Sequence, residues 1–163
     1  MIEETSSGGM ASGPVLATVL EARGRLECRA AGVSMGAWGK AVDTLVLAPP
    51  PGDPVTPGTV VVYPRGDVMV AHRVVRRYRE GGRWHYLTWG DGAGWADPDP
   101  VSHATLLAVV IEVRGPSGTV NLATCRRRAL ARWRVVVTLL SAALRHPRML
   151  VRRVLAPRKH SVR

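Results

Sequence analysis

Between Thr59 and Trp89 three segments rich in Val and aromatic residues follow one another with only turn-length connections: Thr59–Tyr63 (TVVVY), Val68–Tyr78 (VMVAHRVVRRY) and Arg83–Trp89 (RWHYLTW). A parallel neighbour needs a crossover of a dozen residues or more, and the chain has no room for one here. These strands are therefore predicted to run antiparallel. Arg65-Gly66-Asp67 is a tight turn that makes the first two a hairpin, and Glu80-Gly81-Gly82 turns the chain into the third.

The flanking sequence extends the same pattern. Arg25–Ala31 (RLECRAA) alternates, with Leu26, Cys28 and Ala30 on one face, and Thr44–Ala48 (TLVLA) is a second short strand. Leu106–Arg114 (LLAVVIEVR) closes the sheet and Gly115–Gly118 ends it. Pro49–Gly58 holds five of the twelve prolines and reads as a loop, as does the Gly/Asp/Pro stretch Gly90–Pro100. Ahead of the strands, Val15–Ala22 is predicted as a short helix ended by Gly24. The fold expected is mainly β, a coiled antiparallel sheet or half-barrel.

After the strands the spacing changes. Leu130, Trp133, Val137, Leu140 and Leu144 fall three or four apart with arginines between them, a helical pattern that Pro147 breaks before a second short segment, Met149–Leu155. The organisation predicted is a flexible leader over 1–14, a β domain over 15–118 and a basic amphipathic helical tail over 119–163. The tail also carries the charge. Of the 23 Lys and Arg residues, 12 lie in 126–163, and no acid follows Glu112, so the formal charge of +11 belongs to the tail and not to the body. Trp133, Val137, Leu140 and Leu144, flanked by Arg126–Arg128, Arg132, Arg134 and Arg145, form the pattern of a helix lying on an anionic membrane surface, and equally of one packed on the domain or on a second copy. Specific nucleic-acid binding is not expected, because the tail has no aromatic series for base stacking.

Residues 1–14 are polar and acidic at the front, the reverse of a secretory leader. The longest uncharged apolar run, Val135–Leu144, is about half of the roughly 20 residues a spanning helix requires. The expectation is a cytoplasmic protein, peripheral at the membrane if the tail engages it. Cys28 and Cys125 form no disulfide framework or metal spacing and read as free thiols. His72, His85 and His103 lie on separate segments, so neither a metal nor another cofactor is expected.

Three segments carry possible chemistry: Gly32-Val33-Ser34-Met35, Val70–Val75 (VAHRVV) and Gly90–Asp97 (GDGAGWAD). A serine in a glycine-flanked loop is sterically open but a poor nucleophile unless a base takes its proton. His72 is the right type of base, because an imidazole titrates near neutral pH. An acid from the 90–97 loop would hold the imidazole in one tautomer. Singly, each signal has an ordinary structural meaning: a turn serine, a sheet histidine alternating with Val70 and Val74, an Asx-turn aspartate.

Taken in order, the landmarks are a Ser-Met loop, a strand, a Gly-x-Val-Val-Val-Tyr strand, a His-Arg-Val-Val strand, then Thr-x-Gly-Asp and a final strand. Over roughly residues 25–115 this resembles the core of signal peptidase I-like serine peptidases, in the signal-peptidase/SOS-repressor clan. Histidine at the third landmark is similar to the archaeal, endoplasmic-reticulum and sporulation type, and the chain looks like the small anchorless bacterial members with a basic C-terminal helix. The resemblance implies Ser34 as acylating nucleophile, His72 as general base and Asp97, seven residues after Gly90, as the third catalytic acid. It gives Met35 and Asp91 supporting places and makes the substrate an extended peptide cleaved after small residues. The chain departs from the family at Ala37, where proline is usual, at Val42-Asp43, where Gly-Asp is usual, and in the expected absence of an anchor.

Two other readings use the same residues. An autocleaving repressor of the clan would have lysine at the base position, and the two lysines, Lys40 and Lys159, lie off the His72 strand. A catalytically inactive, peptidase-like binding protein whose basic tail contacts membrane or nucleic acid is the alternative from a different functional class. Trp84, Trp89 and Trp95 lie near the proposed site in sequence, where they would pack or line a groove; packing is the reading favoured for Trp84.

Overall fold

The computed structural model describes residues 13–29, 44–92, 96–116, 118–123, 135–137 and 140. The elements are a helix, α1 (Gly13–Arg23), and eight strands. These are β1 (Leu26–Arg29), β2 (Thr44–Ala48), β3 (Val60–Arg65), β4 (Val68–Glu80), β5 (Arg83–Trp89), β6 (Val101–Ser102), β7 (Ala108–Gly115) and β8 (Gly118–Asn121). They form one mainly β unit, an open antiparallel sheet in the order β1-β2-β7-β3-β4-β5-β6, with β8 also paired to β7.

Turn chemistry sets the two central hairpins. Arg65 pairs with Val68, leaving Gly66-Asp67 as a two-residue loop with positive φ (58°) at its first position, which a glycine supplies without strain. Glu80 pairs with Arg83 across Gly81-Gly82, where both φ values are positive (56° and 77°), the primed geometry that matches strand twist. β7 then inserts between β2 and β3. One edge pairs with β2, and the other is shared by β3, at Ala108 and Val109, and by β8, at Glu112–Gly115.

Strand alternation sorts the core into two layers. Val60 and Val62 of β3 face Leu16 and Leu20 of α1, together with Leu47, Ala108, Val110 and Val113. The four-residue step between Leu16 and Leu20 puts both on one helical face, and Gly24 ends α1, its N–H bonded to the Leu20 carbonyl at 2.7 Å. Val61 and Tyr63 point the other way, joining Val55, Val74, Tyr86, Val101 and Leu106. Val61 is the partner of His72, so the histidine lies on this second face, opposite α1.

Several elements differ from the sequence reading. α1 starts two residues earlier, because Pro14 is compatible with a first helical turn. β4 runs on to Glu80, and β7 starts at Ala108 after a short 3₁₀ turn, His103–Thr105. β6 and β8 are additional strands. β6 is two residues held against His85 and Tyr86, and β8 carries the sheet past residue 118 to Asn121. Within the tail, residues 135–137 and 140 are helical; Val135 is buried, and Val136, Val137 and Leu140 are exposed. Residues 1–12 of the predicted leader, and the tail stripe positions Leu130, Trp133 and Leu144, lie outside the described residues, while the last two leader positions, Gly13 and Pro14, belong to α1. Cys28 is a free thiol packed at the edge of the α1-side core, and burial pushes its pKa up.

Candidate active site

β4 carries His72 on the face opposite α1, and the loop after β5 brings Asp97 to it. The loop is anchored by its backbone: the Asp97 N–H donates to the Thr88 carbonyl of β5 at 2.9 Å, and Ala96 beside it is fully buried. Asp97 Oδ2 then lies 2.7 Å from His72 Nδ1. The side chains of both residues are nearly excluded from solvent, at 6% and 7% exposure.

Three further donors converge on the same carboxylate. The Thr88 hydroxyl donates to Oδ2 at 2.6 Å, the Tyr63 hydroxyl donates to Oδ2 at 2.7 Å, and Arg65 Nη2 reaches Oδ1 at 2.6 Å. Arg65 Nη2 also donates to the Tyr63 oxygen at 3.0 Å. Burial by itself pushes the Asp97 carboxyl up; the hydrogen bonds from His72, Thr88, Tyr63 and Arg65 outweigh it and hold the group well below the usual carboxylate range. Burial, with the carboxylate beside it, pushes the Tyr63 hydroxyl well above its ordinary value, so it stays a donor.

These contacts settle the proton on the imidazole. An ionised carboxylate only accepts, so the nitrogen facing it, Nδ1, carries the hydrogen. In the neutral ring Nε2 then holds a bare lone pair. Nε2 is buried and has no hydrogen-bond partner among the described residues. A buried polar atom without a partner is uncommon and calls for an explanation. The arrangement can orient an imidazole from behind and offer its other nitrogen to a proton donor.

Asp91 and Asp97 do different things. Asp91 forms a two-pronged pair with Arg73, from Nε at 2.8 Å and from Nη2 at 2.6 Å, while Arg73 Nη1 donates to the Gly58 carbonyl at 2.8 Å. This ties the start of the 90–97 loop to β4 and to the proline-rich loop before β3. Ser34, Met35, Ala37 and Val42 lie outside the described residues, in the connection between β1 and β2. Trp89 is buried, Trp84 is partly buried beneath Arg77 and Arg79 at 5.5 Å each, and Trp95 lies outside the described residues.

Sequence reasoning missed Tyr63, Arg65 and Thr88. Tyr63 and Thr88 read as ordinary strand residues and Arg65 as part of a turn. The available signal was register: Tyr63 falls two residues after the partner of His72, on its face, and Thr88 opposes Val74. Among the described residues no group of His, Cys, Asp and Glu is placed to hold a metal ion, and no helix is long and apolar enough to cross a membrane. Comparison with protein-family models, with curated proteins and with solved structures gives no match.

Proposed function

We propose that this protein is a serine endopeptidase of the signal-peptidase-like type, its open sheet a version of the coiled sheet of the signal-peptidase/SOS-repressor clan. The observation that carries the reading is a buried Nε2, without a partner among the described residues, on a histidine whose Nδ1 is fixed on an ionised aspartate. Ser34 supplies the missing proton donor. His72 Nε2 takes the hydroxyl proton as Ser34 Oγ bonds to the scissile carbonyl carbon. The same proton passes to the leaving amine as the C–N bond breaks, leaving an acyl-serine that water hydrolyses with His72 again as base. Asp97 stays ionised throughout and stabilises the imidazolium. Asp91 supports the site through Arg73, and Met35 supports the serine loop. The substrate is an extended peptide cut after a small residue, added as a strand beside the site.

Peptide mixtures with small residues at defined positions, incubated with the protein and read by mass spectrometry, test this. Cleavage after small residues that disappears in Ser34→Ala and His72→Ala supports it. Absence of any cleavage by folded protein favours the alternative, a catalytically inactive peptidase-like binding protein whose basic tail contacts membrane or nucleic acid.

The exposed Val136, Val137 and Leu140 beside a strongly basic sequence support a second element of the reading. The tail lays this apolar strip on the anionic cytoplasmic surface of a membrane. Co-sedimentation with anionic but not zwitterionic vesicles, weakened in Leu140→Glu, is the expected result; equal recovery with both vesicle types would leave packing on a second copy as the use of the strip.

A further inference from the structure

Asp97 and His72 are a buried acid–base pair, and such a pair has an unproductive option. A carboxylate left as the only charge in a water-poor site draws a proton onto the neighbouring imidazole, giving an ion pair in which Nε2 is already occupied. A base needs the opposite arrangement, an ionised carboxylate beside a neutral ring. A second cation on the carboxylate provides it, because the negative charge is then compensated without the imidazole.

Arg65 meets that requirement. It stands at the end of β3, on the Gly66-Asp67 turn, and its Nη2 lies 2.6 Å from Asp97 Oδ1, the oxygen that His72 does not use. The guanidinium also donates to the Tyr63 hydroxyl, whose ring lies 5.7 Å from the guanidinium carbon. Tyr63 in turn donates to Oδ2. Among the described residues, the titratable and charged groups bonded to His72 or to Asp97 are these two residues themselves with Tyr63 and Arg65 from β3; Thr88 from β5 is a neutral donor. Arg65 is thus the one cation in this set besides the imidazole itself.

We propose that Arg65 is a positioning residue, the counter-ion of Asp97 that keeps His72 neutral, with its proton on Nδ1 and its Nε2 lone pair available. This deepens the peptidase reading and rests on it for the catalytic consequence; the electrostatic statement holds for the protein alone. Arg65 is 42% exposed, so the device is held in place by its contacts with Asp97 and Tyr63 and not by burial.

Full-length protein labelled with ¹⁵N-histidine tests it, with the His72 signals assigned through His72→Gln. Across a pH titration the ring nitrogen shifts report both charge and tautomer, with no substrate needed. In Arg65→Gln the imidazolium form of His72 is expected to persist about one pH unit higher than in the parent protein, a tenfold change in proton affinity. Arg65→Lys, which retains the charge, is expected to lie near the parent, and Arg79→Gln on the exposed β4–β5 hairpin is expected to coincide with it. If Arg65→Gln titrates with the Arg79→Gln control, the inference is wrong, whatever the variant does to thermal stability. If His72 responds as expected but Ser34 accepts no acylating probe, the counter-ion role stands and the peptidase reading fails.

Discussion

Replacing Asp97 by asparagine removes one charge and turns one acceptor oxygen into a donor, and the geometry says which bonds survive. With the amide oxygen at the Oδ2 position, the three bonds from His72, Tyr63 and Thr88 remain, but the NH₂ group confronts Arg65 Nη2 across 2.6 Å, donor against donor. With the oxygen at the Oδ1 position, Arg65 keeps its acceptor and the NH₂ group faces the other three. Its two hydrogens serve His72 Nδ1 and one of the two hydroxyls, which rotates to accept, while the His72 ring has to move its proton to Nε2. The second arrangement avoids the repulsion with a cation and is expected to dominate. His72 then presents N–H where the proposed mechanism requires a lone pair. The rate of Ser34 acylation should fall by about ten-thousandfold, the cost of the wrong tautomer in a serine triad. Stability should fall less, by about 1.5–3 kcal/mol for one weakened charge-assisted bond. Asp97→Ala, which leaves buried donors without an acceptor, should cost about 3–5 kcal/mol. Labelling rates with an acylating probe and urea unfolding of both variants read the two effects. An Asp97→Asn protein that labels within tenfold of the parent would refute the tautomer argument.

Asp91→Ala should destabilise the protein by roughly 3–5 kcal/mol in urea unfolding, because it strands the 4%-exposed Arg73 as an uncompensated buried charge. Leu20→Ala removes the most buried side chain of α1 and should cost about 2–5 kcal/mol, with no change in the His72 ring signals, since it lies on the opposite face of the sheet. The pH dependence follows from Asp97. Its folded-state pKa is depressed below the ordinary 3.8, so its contribution is fully present above that value and is lost as pH falls towards the depressed one. The stability difference between the parent and Asp97→Asn should therefore be constant above about pH 5 and should shrink as pH falls below 4. A difference that widens on acidification would contradict the assignment.

How much of this could be read from residue order depended on the range of the contacts involved. β2 and β5 have the bounds their composition suggests, and the β3–β4 hairpin follows from a Gly-Asp pair between alternating runs, because both signals are local. The His72 face was legible from Val70 and Val74 for the same reason. The position of β7 between β2 and β3 was not, since it joins segments dozens of residues apart and no local pattern encodes it. Asp97 was singled out by resemblance; its setting was not legible. Three of its partners, Tyr63, His72 and Thr88, are 34, 25 and 9 residues away, and only the folded register brings them together. Arg65 was hidden by its place in a turn, where a polar residue needs no further explanation. Two-residue β6 is too short to leave a periodic signal, and β8 follows a Gly-Pro-Ser-Gly stretch that reads as an end.

The central claim is that His72 Nε2 activates Ser34. Mass spectrometry of the full-length protein after exposure to a serine-directed acylating probe tests it most directly, with Ser34→Ala and His72→Ala in parallel. One covalent adduct that maps to Ser34 and is absent from both variants is the expected result. A folded parent protein that forms no adduct, or one that labels equally in His72→Ala, would contradict it.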